Sequence, residues 1–137
     1  MDTLQCAIVL AKLERFEWEV EQRLRLGQQY NSLMDAAGIA RVKQRPGRTS
    51  VFAQYTIFTN GRAELQKQLS DVGIVTAVHY PVPLNEQPAY KHLSRPDSTP
   101  VAQQSAKQVM SLPMSADLSN ADQQIVCSAI QTGVHGA

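Results

Sequence analysis

Ser50-Val51-Phe52-Ala53-Gln54-Tyr55-Thr56-Ile57-Phe58-Thr59 is the stretch that decides the fold class. Val51, Phe52, Tyr55, Ile57 and Phe58 suit a pleated, half-buried surface, so a strand is expected over Ser50–Thr59, with one of its two faces buried. Asn60 and Gly61 turn the chain into a helix that carries Leu65, Leu69 and Val72 on one side, and Gly73 ends it. Ile74–Tyr80 is then expected as a second strand flanking the first, closed by Pro81 and Pro83.

Upstream, Arg41–Arg45 has the character of a short edge strand, ended by the turn Pro46-Gly47. Before it lies a long helical pattern. Asp2 and Gln5 have capping-box spacing, and Leu4, Ala7, Ile8, Ala11, Leu13, Phe16, Val20 and Leu24 recur at helical intervals towards Gly38. The apolar stripe is wide at first and narrow later, as expected of a helix touching two surfaces, one of them outside this chain. Downstream, Pro81, Pro83, Pro88 and Pro96 stiffen an ordered loop over residues 81–99, with one helical turn expected near Gln87–His92. Thr99 should cap a helix with Pro100 at its first position. Ser111–Met114 reads as a short extended piece. Ser119 and Asp122 open a last helix with the stripe Ile125, Val126, Ala129 and Ile130, leaving residues 133–137 as a tail.

The order implies one α+β domain over residues 1–137, with a long linking helix over 1–38 and an α+β core over 39–132. Its sheet is small and mostly antiparallel, with helices on one face. The 137 residues, 43% hydrophobic and 18% charged, support a globular core that hides about two-thirds of the extended chain's surface. A formal net charge of +1 gives no long-range field for a nucleic acid or a membrane surface. Cys6 and Cys127 form no paired motif and read as two buried, reduced thiols, which points to the cytoplasm. The apolar run Cys6–Ala11 is far too short to span a bilayer.

Few residues carry a chemical pattern. Isolated glycines at 27, 38, 47, 61 and 73 make no phosphate loop, and His79, His92 and His135 have no partner at metal-ligand spacing. Arg41, Lys43, Arg45 and Arg48 lack the stacking aromatics of a nucleic-acid patch. The segment that stands out is Thr76 to Tyr90, where a strand ends in an imidazole and a phenol held at the mouth of a proline-stiffened loop. Two readings stand side by side on that pattern: His79 and Tyr80 bind a ligand, or Tyr80 and Tyr90 cover core beside an ordinary surface histidine.

Three ordered blocks narrow the choice. Met1-Asp2-Thr3-Leu4-Gln5-Cys6-Ala7-Ile8-Val9-Leu10 is similar to the MDTLQAAIL segment of the DegT/DnrJ/StrS family of sugar aminotransferases. His79-Tyr80-Pro81, with Pro83-Leu84 and Gln87-Pro88-Ala89-Tyr90, resembles that family's HYPxPLHxQPAY signature, and Ser111-Leu112-Pro113-Met114 with Leu118-Ser119 resembles SLPMHPxLS. Asn85 and Ser115-Ala116 depart from the pattern, replacing a histidine and a His-Pro pair. The resemblance implies a fold-type-I homodimer that moves an amino group from glutamate or glutamine to a keto sugar on a nucleotide diphosphate. A large domain holds pyridoxal phosphate on a lysine, and a small domain closes over the site. By that resemblance this chain is the C-terminal small domain, His79 and Tyr80 bind the nucleotide sugar, and the first helix links the two domains.

The same resemblance places no catalytic or cofactor-binding residue here, because the family's aldimine lysine precedes its MDTLQ segment. Lys12, Lys43, Lys67, Lys91 and Lys107 all fall elsewhere. The isolated chain is therefore expected to bind no pyridoxal phosphate, to be inactive, and to self-associate through Leu4, Ile8, Ala11 and Phe16. A free-standing binding or oligomerisation module made from such a domain is the alternative.

Overall fold

Two helices that end in the same way bring the chain to the two edges of one small sheet. In this computed structural model, which describes residues 2–95 and 98–135, α2 (Phe16–Ala36) stops at Gly38 and α3 (Arg62–Asp71) stops at Gly73. Both glycines take left-handed backbone angles, φ 67° and 80°. Each is followed by a back-bond across the last turn, Ile39 N–H to Met34 O at 2.9 Å and Ile74 N–H to Leu69 O at 2.8 Å. That is the Schellman pattern, which glycine adopts without the Cβ penalty, and it buries the isoleucine that follows in each case.

From Ile39 the chain reaches the edge of β1 (Tyr55–Phe58), where Arg41 bridges Ile57. From Ile74 it reaches the opposite edge, where Ala77 bridges Ser111 of β2 (Val109–Leu112). β1 and β2 pair antiparallel, with Tyr55 opposite Leu112 and Ile57 opposite Met110. One face of this pair carries Tyr55, Ile57, Met110 and Leu112 into a core with Tyr30 and Met34 of α2, Leu65 and Leu69 of α3, and Val126 and Ile130 of α5 (Asn120–His135).

Several expectations are corrected. The Ser50–Thr59 strand shortens to Tyr55–Phe58 because Phe52 turns the backbone to φ 47°, a left-handed angle no strand tolerates. Ile74–Tyr80 does not flank β1, and Arg41–Arg45 is not a strand. Each contributes a single bridge, and the neighbour of β1 is the Val109–Leu112 segment. The first helical run is two helices, α1 (Thr3–Leu13) and α2. At the break the Arg15 N–H falls back to Lys12 O, while its guanidinium is held 3.0 Å from Asp117 and 4.6 Å from the Trp18 ring centre.

The remaining helix ends are mixed. Asp2 caps α1 through Gln5 N–H at 2.8 Å, and Ser119 caps α5 through Asp122 N–H at 3.1 Å. Pro100 opens α4 (Pro100–Gln108), but the Thr99 hydroxyl makes no capping bond. Arg62 instead reaches the far end of α4, donating to Ala106 O at 2.6 Å. The loop holds two 3-10 turns, Leu84–Glu86 and Lys91–Leu93, and Gly133 lies inside α5 rather than in a tail. Expectations for Pro96 and for residues 136–137 lie outside the described residues.

Both thiols are unpaired, with Cys127 buried and Cys6, against expectation, only half-buried. Burial pushes the Cys127 thiol from its ordinary 9.0 up to about 11. The fold therefore favours the neutral thiol, and the stability this confers is full below pH 9 and is lost as pH rises through 11. Moving the thiol from 9.0 to about 11 corresponds to a loss on the order of 2–3 kcal/mol. Burial raises the Tyr30 and Tyr55 phenols in the same direction, so their share is lost above their ordinary 10.0. Urea unfolding across this window should show the decline, with Cys127→Ala removing its earlier part. Parallel curves for both proteins would refute the assignment.

Candidate functional site

Strand periodicity builds the site. Ser111 sits opposite Thr56 across the β1–β2 pair, and on its other side it exchanges both backbone bonds with Ala77, at 3.1 and 2.7 Å. Directly paired residues share a face, so Thr56, Ser111 and Ala77 lie on the same side, and His79 reaches that side through its contact with Ser111. This is the face away from Tyr55, Ile57, Met110 and Leu112. There Ser111 Oγ stands 3.3 Å from Thr56 Oγ1 and 3.1 Å from His79 Nδ1. Ser111 is 4% exposed, while Thr56 and His79 are half-buried.

Tyr80 stands next, at the rim. Its side is 70% exposed, and its ring meets the His79 imidazole edge-on, with centres 5.6 Å apart and planes at 87°. The peptide bond between the two residues is cis. Behind them Gln66 Nε2 donates to Thr76 Oγ1 at 3.2 Å and ties the segment to α3.

The proline-rich loop beyond is anchored by its own side chains. Gln87 Nε2 donates to Val82 O at 3.3 Å, Ser94 Oγ to Asn85 O at 2.6 Å, and Gln103 Nε2 to Glu86 Oε1 at 2.7 Å. The last bond fastens the loop to α4. A cleft of about 350 Å³ opens between Val82, Glu86, Lys91, Arg95 and Gln103. An imidazole and a phenol held this way offer hydrogen bonds and aromatic surface to a polar ligand, while the sheet fixes their position.

Tyr80 thus stands exposed at the rim beside a half-buried His79. His92 is exposed on the second 3-10 turn, and the side chain of His135 lies outside the described residues. Among the described residues no three His, Cys, Asp or Glu side chains gather around a point where one ion could sit. The sequence pattern does not mark Thr56 and Ser111 as site residues. Their signal is the register of two strands 55 residues apart, which periodicity along either segment does not carry.

The sequence model of the DegT/DnrJ/EryC1/StrS aminotransferase family matches residues 1–131. A UDP-2-acetamido-2-deoxy-3-oxo-D-glucuronate aminotransferase of Pseudomonas aeruginosa is 42% identical over 130 residues, covering 95% of this chain and 36% of the relative. A dTDP-3-amino-3,4,6-trideoxy-alpha-D-glucose transaminase of Streptomyces venezuelae is 32% identical over 133 residues, covering 96% and 35%. Among solved structures, a DegT DnrJ EryC1 StrS aminotransferase from Brucella abortus superposes with a TM-score of 0.90 at 37% identity, over 100% of this chain and 36% of that one. DesV of S. venezuelae, solved with a ketimine intermediate, gives 0.89 at 32% identity, over 96% and 36%. The chain therefore spans little more than a third of the length of these relatives.

Proposed function

The chain belongs to the DegT/DnrJ/EryC1/StrS aminotransferase family, and from that membership we propose that it serves as the C-terminal small domain of a cytoplasmic, pyridoxal-phosphate-dependent enzyme. That enzyme would move an amino group from glutamate or glutamine to a keto sugar carried on a nucleotide diphosphate. The observation that carries the reading is the near-complete match of this chain, fold included, to one third of proteins described as sugar aminotransferases.

The described residues do not fit pyridoxal phosphate. A lysine that holds an aldehyde needs enclosure, a carboxylate for the pyridine nitrogen and a cradle of donors for the phosphate. Lys12, Lys43, Lys67, Lys91 and Lys107 all stand exposed. The two ion pairs among the described residues, Arg15–Asp117 and Arg41–Asp35, involve no lysine. On this reading the cofactor belongs to a large domain, and the present chain contributes substrate contacts and a cover that excludes water.

His79 would donate a hydrogen bond to the nucleotide sugar, and Tyr80 would add its hydroxyl and its exposed ring. Helix α1 suits a role at the junction with the large domain or with a second copy. It buries none of its residues, and Leu4, Ile8, Leu10 and Leu13 are exposed along it. No described helix is long and apolar enough to cross a membrane.

Calorimetric titration of the chain with UDP- and dTDP-sugars tests the proposal. Binding should weaken about tenfold in His79→Ala, the scale of one hydrogen bond to a charged group. Tyr80→Phe should give a smaller loss. Equal affinity for the wild type and both variants would remove these residues from the substrate site.

A further inference from the structure

We propose that the cleft beside the proline-rich loop is a diphosphate site, in which Lys91 and Arg95 hold the two phosphate charges of the nucleotide sugar. The identity of the ligand rests on the function proposed above. The preference of the cleft for a doubly charged anion does not.

The position follows from the reach of the chain and from the ligand's own connectivity. Val82, on the cleft wall, follows Tyr80 by two residues, at most about 7 Å along an extended backbone. In a nucleotide sugar the diphosphate is joined to the sugar ring through a single oxygen. A ligand whose sugar meets Tyr80 therefore carries its phosphates next to that residue, on the scale of the gap to the cleft.

Charge and donors decide what the cleft can take. Lys91 and Arg95 stand exposed on its wall, and neither joins an ion pair among the described residues. An ammonium meets phosphate as a point charge and a guanidinium as a planar fork. Glu86 is the one acid on the wall among the described residues, so two cations face one carboxylate. Its Oε1 already accepts from Gln103 Nε2 at 2.7 Å, and a neighbouring opening lined by the same two residues brings up Lys107. A dianion gains from both cations and offsets the repulsion of Glu86, whereas a single charge gains less. Gln103 Nε2 has a second proton to give, and the half-buried Asn85 amide makes no side-chain hydrogen bond among the described residues. The walls are braced. Ser94 Oγ donates to Asn85 O at 2.6 Å, and the Gln103–Glu86 bond fastens the loop to α4.

The test is calorimetric titration of the chain with inorganic pyrophosphate and with inorganic phosphate at low salt. Pyrophosphate should bind more tightly than phosphate, shift the amide signals of residues 82–95 in 15N–1H spectra, and weaken with added salt. Lys91→Ala and Arg95→Ala should each lower its affinity about fivefold, the upper scale of an exposed ion pair, while Arg95→Lys keeps most of it. Glu86→Gln retains an acceptor for Gln103 but removes the negative charge, so it should tighten binding about threefold. Lys67→Ala, at an exposed lysine of α3, should change nothing. No pyrophosphate binding, weaker binding in Glu86→Gln, or a loss in Lys67→Ala equal to that in Lys91→Ala overturns the proposal. Titration with UDP- and dTDP-sugars separates the two readings. Pyrophosphate held by Lys91 and Arg95, with sugar affinity unmoved in His79→Ala and Tyr80→Phe, keeps the cleft and sinks the substrate contacts. Sugar binding weakened in His79→Ala but unmoved in Lys91→Ala and Arg95→Ala does the opposite.

Discussion

Replacing Tyr30 by alanine should destabilise the chain by about 3–5 kcal/mol, the range for removing a large buried aromatic. Tyr30 is fully buried on α2, stacks on Tyr55 with ring centres 4.6 Å apart, and donates its hydroxyl to Pro113 O at 3.0 Å. It therefore joins the long helix to the end of β1 and to the residue following β2. A domain of this size has roughly 5–15 kcal/mol in all, so the variant should lose a large share of its stability. Tyr30→Phe separates the contributions. It keeps the stack, drops the hydroxyl and leaves the Pro113 carbonyl without this donor, for a loss of about 1 kcal/mol. Chemical denaturation of both variants gives the comparison. A Tyr30→Ala protein within about 1 kcal/mol of wild type would mean that the core is not organised around this ring.

The second large effect lies at Gly27, inside α2. In an exposed helix, exchanging glycine for leucine gains up to about 1 kcal/mol. Here a Cβ would stand 2.2 Å from Phe52 Cδ2 and 2.5 Å from Cγ, so the whole ring must leave. Phe52 is not free to move. Its N–H is bonded to Ser50 Oγ at 3.1 Å, its carbonyl accepts from Arg23 Nη1 at 3.3 Å, and its backbone is held at φ 47°. Gly27→Leu should therefore cost at least about 3 kcal/mol despite the helix preference, with Gly27→Ala costing less. Adding Phe52→Gly should return most of the loss, because glycine accepts that backbone angle and vacates the space. A double-mutant cycle by urea unfolding measures the coupling, and additive losses would show that the two residues do not compete for one site.

What was legible along the chain was whatever depends on near neighbours. Gly38 and Gly73 announced helix ends because a left-handed residue there is a local demand. Asp2, Pro100 and Ser119 marked helix starts for the same reason. His79 and Tyr80 stood out because prolines follow them at once. The sheet partner was not legible. Val109 to Leu112 is buried at all four positions, so it lacks the alternation that betrays a strand, and it follows a helix with no turn between. Ile74–Tyr80 is richer in strand-forming residues, yet it meets only the far edge of β2. Phe52 cut the first strand short for a reason that lies in Gly27, a quarter of a hundred residues earlier on another element. Thr56 and Ser111 became visible as part of the site only when that pairing fixed which residues share a face.

The order of the sheet has a consequence for how the molecule is made. The His79 segment is translated before β2, yet β2 lies between it and β1 and supplies both backbone bonds to Ala77. Ser111 follows His79 by 32 residues. At the pace of synthesis, about 5–20 residues per second, the imidazole waits roughly 2–6 s for the hydroxyl it will pair with. Until then the nascent chain has helices and one lone strand, and the site's most recognisable stretch has no surface to lie on.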